Sequence, residues 1–512
     1  MIGFAAVSSR GPRAMTLSVT HTDAMAQPAR GLLPLWVGAG VYALLLISGN
    51  RLLNDPDTLW QITVGQWILD HHAVPTTDVY SFTMRGAPWI STQWLAQVAY
   101  AEAYAAAGWT GPVVLAASAI ALAFALFARF LNRHLRESTT LVFVVAALLL
   151  TLPHLLARPH VLAFPLLVAW IAGLVEAADR GRAPPFSLVL LIALWANLHG
   201  GFVFGLMFIA PAALDAVVNA EPAVRRPLAL RWAAFAALAL LASCVTPYGW
   251  NALLASQKIL SLGAALPLIV EWKPADFGGL GPFEICLLLA IGFSLLYGVR
   301  LPPIRILMLL GLLHMALAQG RAAEILALVG PLVLAAPLAR QMESAANDAG
   351  SAAGTPPRRA AGIAVMLTLI AATIASATLL HFAPNTRGTP MAAVTELKKL
   401  HLTRVLNDYD FGGYLIASGV APFIDGRTEL YGEKFFVDHN AASGLMEPDN
   451  LFRLLKDYDI EATLLRTQSA ATKLLDHIDG WQKIYADDIA TIHVRNPAAL
   501  HSVEPPVEPV RH

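Results

Sequence analysis

The sequence predicts a multi-pass α-helical membrane protein of about eleven transmembrane helices, followed by a C-terminal soluble α/β domain. Three observations predict it. Of 512 residues, 56% are hydrophobic and only 14% charged, and the mean hydropathy of +0.58 is far above that of a soluble chain of this size. Apolar runs close to the ~20 residues that cross a bilayer recur along residues 31–380. After His381 the composition changes to short β-branched and apolar runs between polar turns, as in a soluble domain.

Residues 1–30, with Arg10, Arg13 and Arg30 among small and polar residues, read as a cytoplasmic tail. The apolar run at 31–49 is longer than a signal-peptide core and lacks a small-x-small cleavage site, so it is expected to stay as a span that carries the chain outward. A polar, aromatic and acidic stretch follows, the large first outer loop of residues 50–111. Loops of that length are usually functional. Further apolar runs lie at about 112–131, 139–152, 160–178, 186–198, 202–218, 232–246, 282–298, 304–319, 322–338 and 361–380. The pair at 186–218 is separated only by Leu198-His199-Gly200-Gly201, which makes one of the two a candidate re-entrant segment. Residues 339–360, rich in Ala, Gly, Ser and Pro, read as an inner linker. In the domain of residues 381–512, strands are expected at 404–407, 422–425, 462–465, 481–485 and 490–494. Helices are expected to open at Gly412-Gly413 and to run near 449–457 and 469–478, giving a small three-layer domain.

Charge layout orients this chain. With the amino terminus in the cytoplasm, the inner loops hold Arg129, Arg133, Arg136, Arg180, Arg182, Arg225, Arg226, Arg231, Arg300, Arg305, Arg340, Arg358 and Arg359, while the outer turns hold only Arg51, Arg85, Arg158, Lys258, Lys273 and Arg321. That alternation sets the first loop and the C-terminal domain on the outside. The formal net charge of zero conceals this layout and gives no reason to expect a nucleic-acid partner. Cys244 and Cys286 lie in or beside apolar spans and form no disulfide framework or metal-ligand spacing.

The unusual polar residues fall on the outer face. The first loop carries Asp55-Pro56-Asp57-Thr58-Leu59-Trp60 and Pro75-Thr76-Thr77-Asp78. Further outer turns carry His154, Arg158 and His160, then Asn197 and His199, then Glu271, then Arg321 and Glu324. Ionisable groups at membrane depth are costly and mark pathways or sites, so this one-sided clustering predicts an outward-facing cavity under the first loop. No nucleotide sugar is available on that face, and an enzyme there would draw on an activated membrane lipid such as a polyprenyl-phosphate sugar. Transfer needs a carboxylate to take the acceptor's proton, the expected role of Asp55 supported by Asp57. It also needs cations for the leaving phosphate, either Arg158 and Arg321 or a divalent ion, magnesium or manganese, on Asp55 and Asp57. His160, His199, Glu271, Trp60 and Asp78 complete the expected substrate-binding set.

These residues carry a resemblance to the integral-membrane C-type glycosyltransferases, which place acidic residues in a first outer loop flanked by helices along the membrane. Asp55 and Asp57 match that position. More narrowly, the chain resembles an uncharacterised bacterial subgroup with Asp-Pro-Asp-Thr-x-Trp at 55–60, Ala-Arg-Pro-His at 157–160, Trp-Ala-Asn-x-His-Gly at 195–200, Pro-Tyr-Gly at 247–249, Glu-Trp at 271–272, Gly-Gly-Tyr-Leu at 412–415 and Ile-Asp-Gly-Arg at 424–427. The resemblance implies a sugar donor on a polyprenyl phosphate, an extracytoplasmic glycan, lipid or protein acceptor, and a place in a bacterial inner membrane with the C-terminal domain in the periplasm. It departs at Gln61 and Gln93, where the subgroup commonly has His and Glu.

Each assignment has a structural competitor. Asp57 could serve as the N-cap of a following helix, which would leave Asp55 without a role. Asp78 before Ser81 suits a turn former, and the first-loop tryptophans suit an interfacial belt. Arg158 and Arg321 suit snorkelling anchors. The histidines suit buried hydrogen-bonding positions or, less commonly, a metal site. A lipid-linked glycan transporter or envelope-assembly partner is the alternative to an enzyme.

Overall fold

The computed structural model describes residues 31–260, 262–346, 359–385 and 389–495; the expected tail at 1–30 and most of the expected inner linker lie outside the described residues. All eleven apolar runs fall on helices. Five helices are long and apolar enough to cross a membrane: Thr110–Leu131, Glu137–His154, Pro159–Asp179, Pro222–Ser243 and Ala322–Met342. Six are shorter apolar helices: Leu33–Ile47, Phe186–Leu198, Phe202–Val218, Pro282–Leu296, Pro303–Ala318 and Gly362–Ser376. This is a membrane protein, with five spans on length and composition where the sequence suggested about eleven.

The first and last apolar helices run side by side in the same direction. The Tyr42 and Thr373 hydroxyls share a hydrogen bond of 2.7 Å, and beyond both helix ends the Ala383 N–H donates to Asn50 Oδ1 at 3.1 Å. The first loop and the C-terminal domain therefore lie on one face of the helical body. Pro159–Asp179 is the central helix. It packs against Thr110–Leu131, Val189–Leu198, Ile209–Val218 and Ala322–Ala346, and it buries Trp170, whose indole donates to Gly205 O at 2.8 Å.

At the end of the body away from that loop, Arg305 is not the exposed loop arginine that the charge layout suggested. It is 3% exposed, and its guanidinium bonds Asp215 at 2.9 Å, Asp179 at 2.5 Å and the Val333 carbonyl at 3.0 Å. Pro337 sits four residues after Val333 inside a helix and has no N–H to offer that carbonyl. Arg305 fills the gap and ties four helices together, its own and those of Asp179, Asp215 and Val333.

The C-terminal domain has a four-stranded sheet with β1 Val405–Asn407, β2 Ala462–Arg466, β3 Trp481–Ala486 and β4 Ala490–Arg495, in the order β1-β2-β4-β3. β1 and β2 are parallel and the other pairs antiparallel. Alternation of side chains across the strands fills both faces. Val405, Ala462, Leu464 and Ile492 pack against helix Met391–Lys399 on one side, and Leu406 and Leu465 pack against helices Thr428–Gly444, Pro448–Asp457 and Ala470–Leu475 on the other. Residues 422–425 are not the expected strand. The Asn407 side chain takes the neighbouring strand's place: its Oδ1 accepts from Phe423 N at 2.7 Å and its Nδ2 donates to Ile424 O at 2.8 Å. The other edge of this segment is taken by the first loop, where Phe82 N donates to Pro422 O at 3.2 Å and the Thr83 hydroxyl to Phe423 O at 2.7 Å.

Candidate functional site

The site is built where four loops, those of Asp55, Arg158, Glu271 and Arg321, meet beside the C-terminal domain. Asp55-Pro56-Asp57 leads into helix Asp57–His71. Asp55, not Asp57, supplies the turn bond: its Oδ1 accepts from the Asp57 N–H at 2.7 Å, the pattern of an Asx turn. Asp57 is thereby released from capping, and its Oδ1 accepts from the Trp60 indole at 2.9 Å.

Arg158 precedes Pro159, the first residue of the central helix. Steric pressure from the proline ring keeps the preceding residue extended, and Arg158 has φ −124° and ψ 159°. The backbone around it is strapped to the first loop: Ala157 N donates to Leu52 O at 2.6 Å, Thr58 Oγ1 to Ala157 O at 3.2 Å, and Tyr100 OH to Arg158 O at 3.0 Å. So held, the guanidinium bonds Asp57 Oδ2 at 2.5 Å and Asp55 Oδ2 at 3.2 Å, and pairs also with Glu271. Glu271 reaches on to Arg321, and Arg321 Nε lies 3.6 Å from Glu324 Oε1. Arg321 N donates to Glu271 O at 3.2 Å and Gly320 N to Lys273 O at 2.7 Å, so backbone bonds fix the two turns against each other.

This chain of ion pairs joins four carboxylates to two guanidiniums, and its members are mostly buried, Asp55 at 9% and Arg158 at 16% side-chain exposure. Burial raises the Asp55 and Asp57 carboxyls despite the opposing Arg158, Asp57 to about 7. Glu271 is also raised by burial, but Arg158 and Arg321 together outweigh that and hold it down at about 2. Asp57 thus titrates near neutrality, with Asp55 raised by the same burial, beside a carboxylate that stays charged.

His160 and His199 lie with ring centroids 6.2 Å apart. His160 Nε2 faces the His154 carbonyl at 3.0 Å and His199 Nδ1 accepts from Gly201 N at 3.0 Å. A carbonyl can only accept, which fixes the His160 proton on Nε2. Glu324 Oε2 and His160 Nδ1 are buried without a partner among the described residues.

Two members of the expected set lie elsewhere or are covered. Asp78 belongs to a separate, fully buried bridge between the first loop and the C-terminal domain. Arg427 donates to Asp78 Oδ1 at 2.6 Å and forks onto Asp425 at 2.8 and 2.6 Å, while stacking on Trp89 at 4.8 Å and Tyr80 at 5.2 Å. Trp60 is 3% exposed, so it positions Asp57 and presents no ring face for a sugar. The other motifs hold the loop: Asn197 accepts from the Trp94 indole at 2.8 Å, and Tyr248 OH donates to Pro75 O at 2.8 Å. Gln61 is buried and accepts from Gln97 at 2.8 Å.

Sequence reasoning missed the lid over the aspartates. Helix Gly412–Ala417 packs on helix Asp57–His71, and a Cβ added at Gly413 would sit 2.4 Å from Pro56 O, one at Gly426 2.1 Å from Asp57 Oδ1. Only glycine permits that approach. Tyr409, hydrogen-bonded to Thr428 at 2.9 Å, is an electrostatic neighbour of Asp57 and Arg158. The Gly-Gly and Asp-Gly-Arg motifs were visible in the sequence, but their contact partner was not.

As they stand, these residues do not form a metal centre. The guanidinium of Arg158 lies among Asp55, Asp57 and Glu271 where a cation would sit, and among the described residues no three His, Cys, Asp or Glu side chains are grouped to hold an ion.

No family model and no curated protein matches the chain. Among solved structures, its fold is similar to the archaeal oligosaccharyltransferase AglB from Archaeoglobus fulgidus in complex with an inhibitory peptide and a dolichol-phosphate: 12% identity, TM-score 0.48, covering 90% of this chain and 74% of that one. It is also similar to the Archaeoglobus fulgidus oligosaccharyltransferase tethered to an acceptor peptide, with 13% identity, TM-score 0.47 and coverage of 86% and 70%. A third structure of that enzyme, with zinc and sulfate, has 14% identity, TM-score 0.43 and coverage of 84% and 68%.

Proposed function

We propose that this protein is a membrane glycosyltransferase that moves a sugar from a polyprenyl-phosphate carrier to an acceptor on the face bearing the first loop. The observation that carries this reading is the buried Asp55/Asp57 pair on one guanidinium, its proton affinity raised towards neutrality, Asp57 to about 7, which suits a general base at physiological pH. Asp55 takes the acceptor's proton with Asp57 supporting it, the acceptor forms its bond to the sugar's anomeric carbon, and the bond from that carbon to the phosphate oxygen breaks. A protonated aspartate holds Arg158 less tightly, so guanidinium N–H groups become free for the leaving phosphate as its negative charge develops, while Glu271 keeps the arginine in place and Arg321 stands behind it. His160, His199 and Glu271 line this path as substrate-side groups.

A carrier that passed lipid-linked glycans across the membrane would have to open the far end of the body. The Asp179–Arg305–Asp215 cluster ties helices together there, which favours an enzyme over a transporter. The test is Asp55→Asn in full-length protein, assayed with a panel of polyprenyl-phosphate sugars. Transfer should vanish while the purified protein keeps its elution profile and tryptophan fluorescence; undiminished transfer refutes the assignment.

A further inference from the structure

In the chain of ion pairs both guanidiniums are already engaged by an excess of carboxylates, so an arriving phosphate meets net repulsion there until a proton has been taken up. A different cation stands at the edge. A cleft of about 380 Å³ opens between the end of the first apolar helix and the end of the last, lined by Ile47, Ser48, Asn50, Arg51, Leu380, His381 and Phe382. Its floor is set by close packing of Phe382 on Gly49, where a Cβ would lie 2.3 Å from the ring. Its rim is apolar and open, with Ile47 81%, Leu379 74% and Leu380 42% exposed. Arg51 is exposed and has no ion-pair or hydrogen-bond partner for its side chain among the described residues, and His381 beside it is exposed too.

An apolar rim at the ends of two apolar helices, with an unpaired guanidinium above it, has the chemistry of a phosphate headgroup whose hydrocarbon chain lies along the helices. Its address is specific as well. Arg51 adjoins Leu52, whose carbonyl accepts from Ala157 N at 2.6 Å, and Ala157 adjoins Arg158. Two residue steps and one hydrogen bond therefore keep the Arg51 and Arg158 backbones within roughly a dozen Å of each other. The same short segment continues through Asn54, paired with Asn385, to Asp55.

We infer that this cleft is the docking position of the lipid-linked donor: the polyprenyl phosphate rests on Arg51 with its chain in the seam between the first and last helices, before the sugar reaches Asp55. This rests on the reading of the protein as a polyprenyl-phosphate-dependent transferase. Arg51 is a positioning residue and takes no proton.

The test uses full-length protein in nanodiscs of zwitterionic phospholipid, with binding of a polyprenyl phosphate read by native mass spectrometry. Arg51→Gln should weaken binding about tenfold, Arg51→Lys should recover part of it, and Asp55→Asn should bind as the parent does. Parallel titrations with phosphatidylglycerol and with inorganic phosphate should compete poorly. Unchanged binding in Arg51→Gln overturns the inference, as does equal competition by phosphatidylglycerol, which would make the cleft a site for bulk anionic lipid. Because binding is read without turnover, loss of transfer in Asp55→Asn with binding intact supports both readings. Retained transfer in Asp55→Asn with binding lost in Arg51→Gln removes the catalytic assignment and leaves the cleft standing.

Discussion

Replacing Arg427 with leucine should loosen the C-terminal domain from the first loop. The guanidinium makes three bonds of 2.6–2.8 Å, one to Asp78 and two to Asp425, and all three side chains have 0% exposure. Removing one partner of such a buried group costs ~3–5 kcal/mol, because the remaining charges are stranded. Here the stranded carboxylates keep other donors: Asp78 accepts from the Ser81 hydroxyl at 2.6 Å and from two backbone N–H groups, and Asp425 from Tyr431 OH at 2.6 Å. The loss should therefore lie at the low end, ~3 kcal/mol, including the stacking on Trp89 and Tyr80. If the bridge governs local opening, that loss speeds amide exchange about a hundredfold. Hydrogen–deuterium exchange of peptides covering 76–90 and 422–432 reads this directly, with the helix Thr110–Leu131 as the unaffected reference. A triple variant Arg427→Leu, Asp78→Asn, Asp425→Asn should regain part of the protection, since no buried charge is left uncompensated. Exchange in Arg427→Leu within about threefold of the parent would refute the view that this bridge holds the domain down.

Three further outcomes follow from the buried charges. Asp57 rises from the usual 3.8 to about 7 in the folded protein, so the folded state keeps a proton that the unfolded chain releases. Its contribution to stability is present at low pH and lost as pH rises through that interval. Unfolding midpoints of Asp57→Asn against the parent should converge at acid pH and separate in the variant's favour towards neutrality. Transfer should run the other way, falling as the pair takes up protons on acidification, Asp57 at about 7 and Asp55 above its usual 3.8, because the base must be ionised; a rate flat from neutral to acid pH would contradict the role of the pair. Arg305→Leu removes the guanidinium from Asp179, Asp215 and the Val333 carbonyl, Asp215 keeping the Asn219 amide at 2.9 Å, and should destabilise the body by ~3–5 kcal/mol, visible as a lower thermal midpoint in detergent. A midpoint equal to the parent's would mean that the cluster does not bind the helices at that end.

The sequence by itself determined the membrane class, the eleven helical runs, a C-terminal region that carries a sheet and four of the five strands expected there. Apolar periodicity and composition are local properties, and helices and strands answer to them directly. Asp55, Asp57, Arg158, Glu271 and Arg321 could also be assembled from sequence, since each stands out as a charge at a turn in an otherwise apolar region. Tertiary structure decided the rest. Asp78 looked like a neighbour of the site because it shares the first loop, but its partner is Arg427, 349 residues away, and sequence spacing holds no information about such a pair. The segment 422–425 carries a strand's composition yet joins no sheet, because one asparagine side chain and the first loop satisfy its backbone. Which aspartate caps the helix, which arginine is paired and which is free, and the closeness of Gly413 and Gly426 to the Asp-Pro-Asp turn all depend on side chains meeting from distant parts of the chain. Those meetings set the burial that moves a proton affinity, and burial exists only once the chain has folded.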